Sequence, residues 1–303
     1  MIVDLPDTST DRINKKLVGL RDEGGAVTLA RVLTLVIAPD TEAVLEESIE
    51  AANAASREHP CRIIVVIPGE RLASEARLDA QIRVGGDAGA GEVVVLRLSG
   101  PLANHASSVV LPFLLPDTPV VAWWPDIAPP VPAQDPLGKL AIRRITDATN
   151  GMDPLQSIKS RAHGYTPGDT DLAWSRITYW RALLTSTLDQ APHAPITSAV
   201  VSGLESEPAL DILAGWLAGR IDGPVRRAVG ELKVELIRPT DTITLSRPQE
   251  GRTATLSRTG RPDALLPLAR RETSQCLAED LRRLDSDEIY FEALQGIDKV
   301  QYT

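Results

Sequence analysis

Ile63-Ile64-Val65-Val66-Ile67 is the stretch on which the reading of the fold turns. Every residue in it is apolar and β-branched, and no polar residue alternates with them. That pattern predicts a strand buried on both faces, as in a sheet covered by helices on either side. Upstream, Val27 to Ala38 carries Val27, Thr28, Val32, Thr34, Val36 and Ile37 and predicts a second strand. Between the two, Pro39-Asp40 breaks the chain. Asp40 suits an N-cap, and Val44, Leu45, Ile49 and Ala52 mark a helical face that ends before Pro60. A strand, a helix and a doubly buried strand in succession predict an α/β protein.

Working outward, residues 1–26 read as a short polar N-terminal arm or helix ending at Gly24-Gly25. Downstream, Leu78 to Val84 and Glu92 to Leu98 predict strands flanking a glycine-rich loop over 85–91. His105 to Leu115 predicts a helix and Pro119 to Trp124 a strand. A connector follows with Pro125, Pro129, Pro130, Pro132 and Pro136, which suits an extended passage. The first α/β domain is therefore expected over 27–136.

Residues 137–195 are expected as a helical linking region. It opens with a strand over Ile142 to Thr146, and Ala173, Ile177, Trp180, Leu184 and Leu188 predict one helix from Asp171 to Leu188. The remainder, 196–303, restarts as a second α/β domain. Ile196 to Val201 is a strand, and Ser206 caps a helix striped with Leu210, Leu213, Leu217 and Ile221. Arg226 to Arg238, Thr242 to Ser246 and Arg252 to Ser257 are strands of a meander. Thr273 or Ser274 opens a final helix that closes at Gly296. The order strand, helix, three strands, helix thus occurs in both halves. Internal duplication is one explanation, and chance recurrence of a common order is the other.

Composition narrows the function classes. The chain has 303 residues and a formal net charge of −9, with no basic run longer than two. Such a chain repels phosphate backbones and anionic lipid, so neither nucleic acid nor membrane is expected as a partner. Two cysteines, Cys61 and Cys276, suit a reducing compartment, and the polar N-terminus lacks the apolar core of a signal peptide. A cytoplasmic location is expected.

Motifs for catalysis are missing. Gly138-Lys139 is followed by Leu140 and lacks the spacing of a phosphate-binding loop. The glycines of 85–91 lack dinucleotide-binding spacing and precede a strand, so no helix N-terminus stands behind them. His59, His105, His163 and His193 form no i,i+4 pair, and no nucleophile elbow occurs. No catalytic residue, metal or cofactor is expected. Cys276, in the first turn of a helix, has a weak case for reactivity against the plainer one of a small buried thiol.

Three clusters stand out. Trp123 and Trp124, followed by Asp126, are neighbours on a strand and must point to opposite faces. Either one of them meets a neighbouring surface or the strand is buried on both sides. Trp174, Arg176 and Arg181 combine the residue types of interface hot spots. These six residues are the expected partner-binding set. Gly215 and Gly219, flanking Trp216, suit close helix packing in an otherwise apolar helix.

The same segments resemble the glucose-6-phosphate dehydrogenase assembly protein family, OpcA, in its actinobacterial form. The resemblance runs through Arg31–Val36, Leu115–Pro125 ending Trp-Trp-Pro, Asp171–Arg176, Leu213–Ala218 and Cys276–Leu281, in order along essentially the whole chain. Six lysines against 26 arginines suit a GC-rich genome. The resemblance implies a non-catalytic accessory subunit of the oxidative pentose phosphate pathway that binds glucose-6-phosphate dehydrogenase and promotes its assembly and activation. Cyanobacterial members are linked to thioredoxin-dependent redox control, and this chain departs from a rich cysteine complement. The competing expectation is a sugar-phosphate-binding or enzymatic domain using Arg143, Arg144, Arg176 and Arg181 to hold a phosphate. A concave arginine-lined pocket would favour it, and a flat apolar patch around the tryptophans would favour the partner.

Overall fold

The computed structural model describes residues 1–23, 31–85, 92–189 and 194–303. The start of the strand expected from Val27, the Gly24-Gly25 pair, all but Gly85 of the glycine loop, and His193 lie outside the described residues.

In chain order the elements begin with β1 (Ile2–Leu5), α1 (Thr10–Glu23), β2 (Leu33–Ile37), α2 (Leu45–Ser56), β3 (Cys61–Pro68), β4 (Arg77–Val84) and β5 (Glu92–Ser99). There follow α3 (Ala106–Val110), β6 (Val120–Trp124), β7 (Arg143–Thr146), α4 (Pro154–Gly164), β8 (Asp169–Asp171), α5 (Leu172–Arg176) and α6 (Thr178–Leu188). Then come β9 (Ser198–Gly203), α7 (Pro208–Ala218), β10 (Val225–Val229), β11 (Lys233–Ile237), β12 (Thr242–Ser246), β13 (Thr253–Arg258) and β14 (Ala264–Pro267). The chain closes with α8 (Thr273–Arg282), α9 (Glu288–Gly296) and β15 (Val300–Tyr302). The protein is α/β, as expected, with a sheet in each of two compact units. The first unit holds 1–147, 168–170 and 273–286, and the second holds 148–167, 171–272 and 287–303.

The first unit is built on an eight-stranded sheet in the order β1-β4-β5-β3-β2-β6-β7-β8. The run from β5 through β3, β2 and β6 to β7 is parallel, and β4 and β1 are added antiparallel. Val36 faces Ile64 on one side and Ala122 on the other. Ile63, Ile64, Val65 and Ile67 are fully buried, which is the physical meaning of their unbroken apolar run. One face of the sheet forms a cluster with Ile13 and Leu17 of α1, Val109 and Val110 of α3, and Phe113. In the same unit α2 packs against α8.

The second unit has a seven-stranded sheet in the order β14-β13-β12-β11-β9-β10-β15. Here β9, β10 and β15 are parallel, and β11 to β14 add antiparallel. Its cluster gathers Val201, Leu213, Val234, Leu245, Trp180 and Tyr290. In the first unit the second and fourth strands of the repeated series flank each other, but in the second the third strand sits beside the first. The recurrence of element order is therefore not a duplication of one topology.

Several boundaries differ from expectation for local reasons. The helix expected over His105 to Leu115 is a five-residue α3 between two 3₁₀ turns, since Pro112 has no N–H to continue it. The single helix expected from Asp171 to Leu188 breaks at Ile177, where φ −96° and ψ 7° leave the α region, giving α5 and α6. The final helix is two, α8 and α9, and Asp287 caps the second by accepting from Tyr290 N. Asp40 does not cap α2: a 3₁₀ turn over Glu42–Val44 precedes that helix, with Thr41 at its start. Glu207, not Ser206, is the N-cap residue of α7, with Pro208 at its first position.

Gly215 and Gly296 carry the close packing read from the glycines. A Cβ on Gly215 would collide with the carbonyl oxygen of Ala293, and one on Gly296 with that of Gly215. Here α7 and α9 touch backbone to backbone.

Candidate functional site

In β6 alternation sends Val120, Ala122 and Trp124 into the cluster of one face and Trp123 to the other. Both indoles are buried, at 1% and 4% exposure. The Nε1 of Trp123 has no hydrogen-bond partner among the described residues. Asp126, also buried, accepts from the backbone N–H of Asp40 at 3.0 and 3.2 Å. Burial raises the Asp126 carboxyl above its ordinary range against these amides, and the Asp40 charge adds to the rise. Asp40 in turn pairs with Arg71 at 2.7 Å.

Trp124, Asp40 and Arg71 border a cleft of ≈ 450 Å³, whereas Trp123 and Asp126 do not line it. Its wall is made by residues at or just past the carboxyl ends of four parallel strands: Ala38 to Asp40 after β2, Pro68 of β3, Leu98 and Gly100 at β5, and Trp124 of β6. Strand order reverses between β2 and β6, which is where open parallel sheets leave a crevice.

In the second unit Trp174 is 3% exposed. Its Nε1 donates to Asp287 Oδ2 at 2.8 Å, and its ring lies 5.8 Å from that of Tyr290. The Arg181 guanidinium covers it at 3.4 Å from the ring centroid. So Trp174 and Arg181 are brought together, with the indole inside and the half-buried guanidinium over it. Asp171 beneath caps α5 through Ala173 N and accepts from Ala148 N.

Of the arginines expected to hold a phosphate, Arg143 pairs with Asp280 at 2.7 Å and Arg144 with Asp169, all four side chains buried. Their charges are matched within the first unit. Arg176 borders a recess in the second unit that sequence reasoning did not assemble. It is lined also by Arg247, Arg270, Arg271, Glu207 and Gln249, with a cavity of ≈ 40 Å³. Arg247 follows β12, and its Nη1 donates to Leu268 O at 2.9 Å. Nη1 of Arg271 donates to Ser175 O at 2.6 Å, and Nη1 of Arg176 to Thr149 Oγ1 at 3.1 Å. The only local signal was the Arg270-Arg271 pair.

Cys61 and Cys276 are buried free thiols. Burial pushes the Cys61 thiol up to about 11, which removes thiolate at neutral pH. Among the described residues no group of three or more His, Cys, Asp or Glu is placed to hold a metal ion. Nor is any helix long and apolar enough to cross a membrane.

Among curated proteins none matches the chain. A solved structure described as glucose-6-phosphate 1-dehydrogenase from Mycobacterium avium is similar at 11% identity and a TM-score of 0.47, over 90% of this chain and 94% of that one. Another, described as trehalose-6-phosphate from E. coli bound with UDP-2-fluoro glucose, is similar at 9% identity and a TM-score of 0.28, over 65% and 64%. Likenesses at this level carry no argument about function. Family models are more specific. Residues 52–163 match that of the glucose-6-phosphate dehydrogenase subunit N-terminal domain, and residues 167–294 match that of the C-terminal domain. The two models follow one another along most of the chain in their own order, and the chain belongs to the glucose-6-phosphate dehydrogenase assembly protein family.

Proposed function

We propose that this protein is a non-catalytic, cytoplasmic accessory subunit that binds glucose-6-phosphate dehydrogenase and promotes its assembled, active form. The observation that carries the reading is the pair of consecutive family models, both described as belonging to a subunit of that enzyme. Activation follows if the chain binds one conformation or oligomer of the dehydrogenase better than the others, since only differential affinity shifts such an equilibrium.

Within this reading the six residues divide by exposure. Arg176 and Arg181 meet the partner, with Trp174 as the buried plate that holds Arg181 flat. Trp124 acts through the cleft it borders, Asp126 by holding the backbone of Asp40 at its wall, and Trp123 supports it from the opposite face of β6. A guanidinium held against an indole has lost much of its rotamer freedom, which lowers the entropy cost of engaging a carboxylate.

The test mixes the purified chain with glucose-6-phosphate dehydrogenase from the same organism and follows NADPH production together with light scattering. A higher rate accompanied by a larger particle is expected. No complex and no change in rate would end the proposal.

A further inference from the structure

The recess of the second unit concentrates charge. Four guanidinium groups line it, from Arg176, Arg247, Arg270 and Arg271, against the single carboxylate of Glu207. Arg247 and Arg271 are 7% and 9% exposed. The Nε of Arg247 is buried and has no hydrogen-bond partner among the described residues. Arg270 makes no ion pair with any described residue. Burial lowers the pKa of Arg247 and the charge of Arg270 lowers it further, while the charges of Glu207 and Glu250 partly offset this. The empty recess is costly because a buried guanidinium lies near a second, exposed one and keeps an unmatched donor.

The backbone adds to the same field. The recess is bordered by Leu204, Glu207, Ala209 and Leu210, which are the end of the β9–α7 connection and the first turn of α7. This eleven-residue helix starts with Pro208, and its N-cap residue Glu207 makes no side-chain cap hydrogen bond. In this turn Pro208 has no N–H and Leu210 N donates to Glu207 O at 2.9 Å, which leaves the N–H of Ala209 as the donor that favours an anion. Because β9 and β10 are parallel, the β9–α7–β10 unit places this turn at the carboxyl end of a strand, where such units bind ligands.

The ≈ 40 Å³ cavity has room for a group of phosphoryl size, and the recess opens to solvent, where the rest of a ligand can lie.

We propose that this recess binds the phosphoryl group of a small phosphate ester, with Arg247 and Arg270 as its principal ligands and the N-terminus of α7 behind them. Planar guanidinium groups match phosphate oxygens two at a time, and burial strengthens the charge-assisted bonds made by Arg247. The remainder of the ester lies outside the cavity. The site would make a phosphorylated metabolite a ligand of the accessory subunit itself.

The experiment is isothermal titration of the full chain with inorganic phosphate, and then with a hexose phosphate, at constant ionic strength. It uses no dehydrogenase, so its outcome stands apart from the accessory-subunit reading. Saturable binding at one site per chain is expected. Tighter binding of the hexose phosphate marks the ester as the ligand, and equal binding marks free phosphate. Arg270→Gln, at an exposed position, should weaken binding by about tenfold or more while leaving the melting temperature of the free protein unchanged. Arg247→Lys keeps the charge but loses the fork, and it should weaken binding comparably. If neither phosphate binds saturably, or if Arg270→Gln and Arg247→Lys both bind as the parent does, the proposal is overturned. An Arg270→Gln variant that loses complex formation with the dehydrogenase, in a chain that binds no phosphate, would assign the recess to a carboxylate of the partner protein instead.

Discussion

Arg143 Nη2 donates to Asp280 Oδ1 at 2.7 Å across 137 residues of sequence, and both side chains are almost fully buried. Arg143 Nη1 also donates to the carbonyl of Asp285 at 2.7 Å. The pair ties β7 to the segment bearing α8 within the first unit. Removing one member of such a pair leaves the other charge buried alone. Asp280→Ala should therefore destabilise the protein by about 3–5 kcal/mol, read as a lower urea midpoint. Replacing both residues by apolar ones of similar volume should cost less than either single change.

Trp174 and Arg181 should separate stability from binding. Trp174→Ala deletes a buried ring and its bond to Asp287 and should cost about 3–5 kcal/mol. Arg181→Ala should leave near-ultraviolet circular dichroism unchanged and shift the unfolding midpoint little, yet weaken complex formation in a light-scattering titration with the dehydrogenase. A folded Arg181→Ala protein that binds as tightly as the parent would remove Arg181 from the partner face.

Gly215 inside α7 and Gly219, the residue just past its end, should behave oppositely. Gly215→Ala forces α7 and α9 apart and should cost about 1–3 kcal/mol. At Gly219 a Cβ would meet its nearest neighbours at 3.7 Å, an ordinary contact. Gly219→Ala should be neutral or stabilise by up to about 1 kcal/mol. Thermal melts of the two variants side by side test the contrast.

Asp211 gives stability a pH dependence of definite sign. Burial raises its carboxyl to about 6 and outweighs the attraction of Arg227, whose Nε lies 3.2 Å away. Between the unfolded value near 3.8 and about 6, the folded state binds the extra proton. The associated stability is present below that window and is lost as pH rises through it. In Asp211→Asn this fall should disappear, whatever the variant's absolute stability, in urea titrations run from pH 4 to 7.

How much of this was legible follows from where the residues sit. The strand through Ile63–Ile67 declares itself because its unbroken apolar run must be covered on both faces. Other strands carry no such signal. The segment Asp169-Thr170-Asp171 is buried at all three positions yet has no apolar residue, and Ile2–Leu5 is a four-residue edge strand with alternate positions exposed. The indole of Trp174 looked like surface on a helical wheel drawn through Ile177, but the helix breaks there and Asp287, from 113 residues away, seats the ring. Arg176 was visible as a candidate. Arg247 and the Arg270-Arg271 pair meet it only through the turn after β12 and the segment after β14, and sequence spacing does not encode that meeting.

The division of the chain also bears on how it is made. The first unit takes residues 273–286, and the second takes residues on both sides of that segment. During synthesis the first sheet waits, with its place for α8 open, until β9 to β14 of the second unit have been made, and β15 of the second unit follows α8. Each unit therefore lacks one of its elements while the other is being built, and each is exposed to chaperones and proteases for that interval.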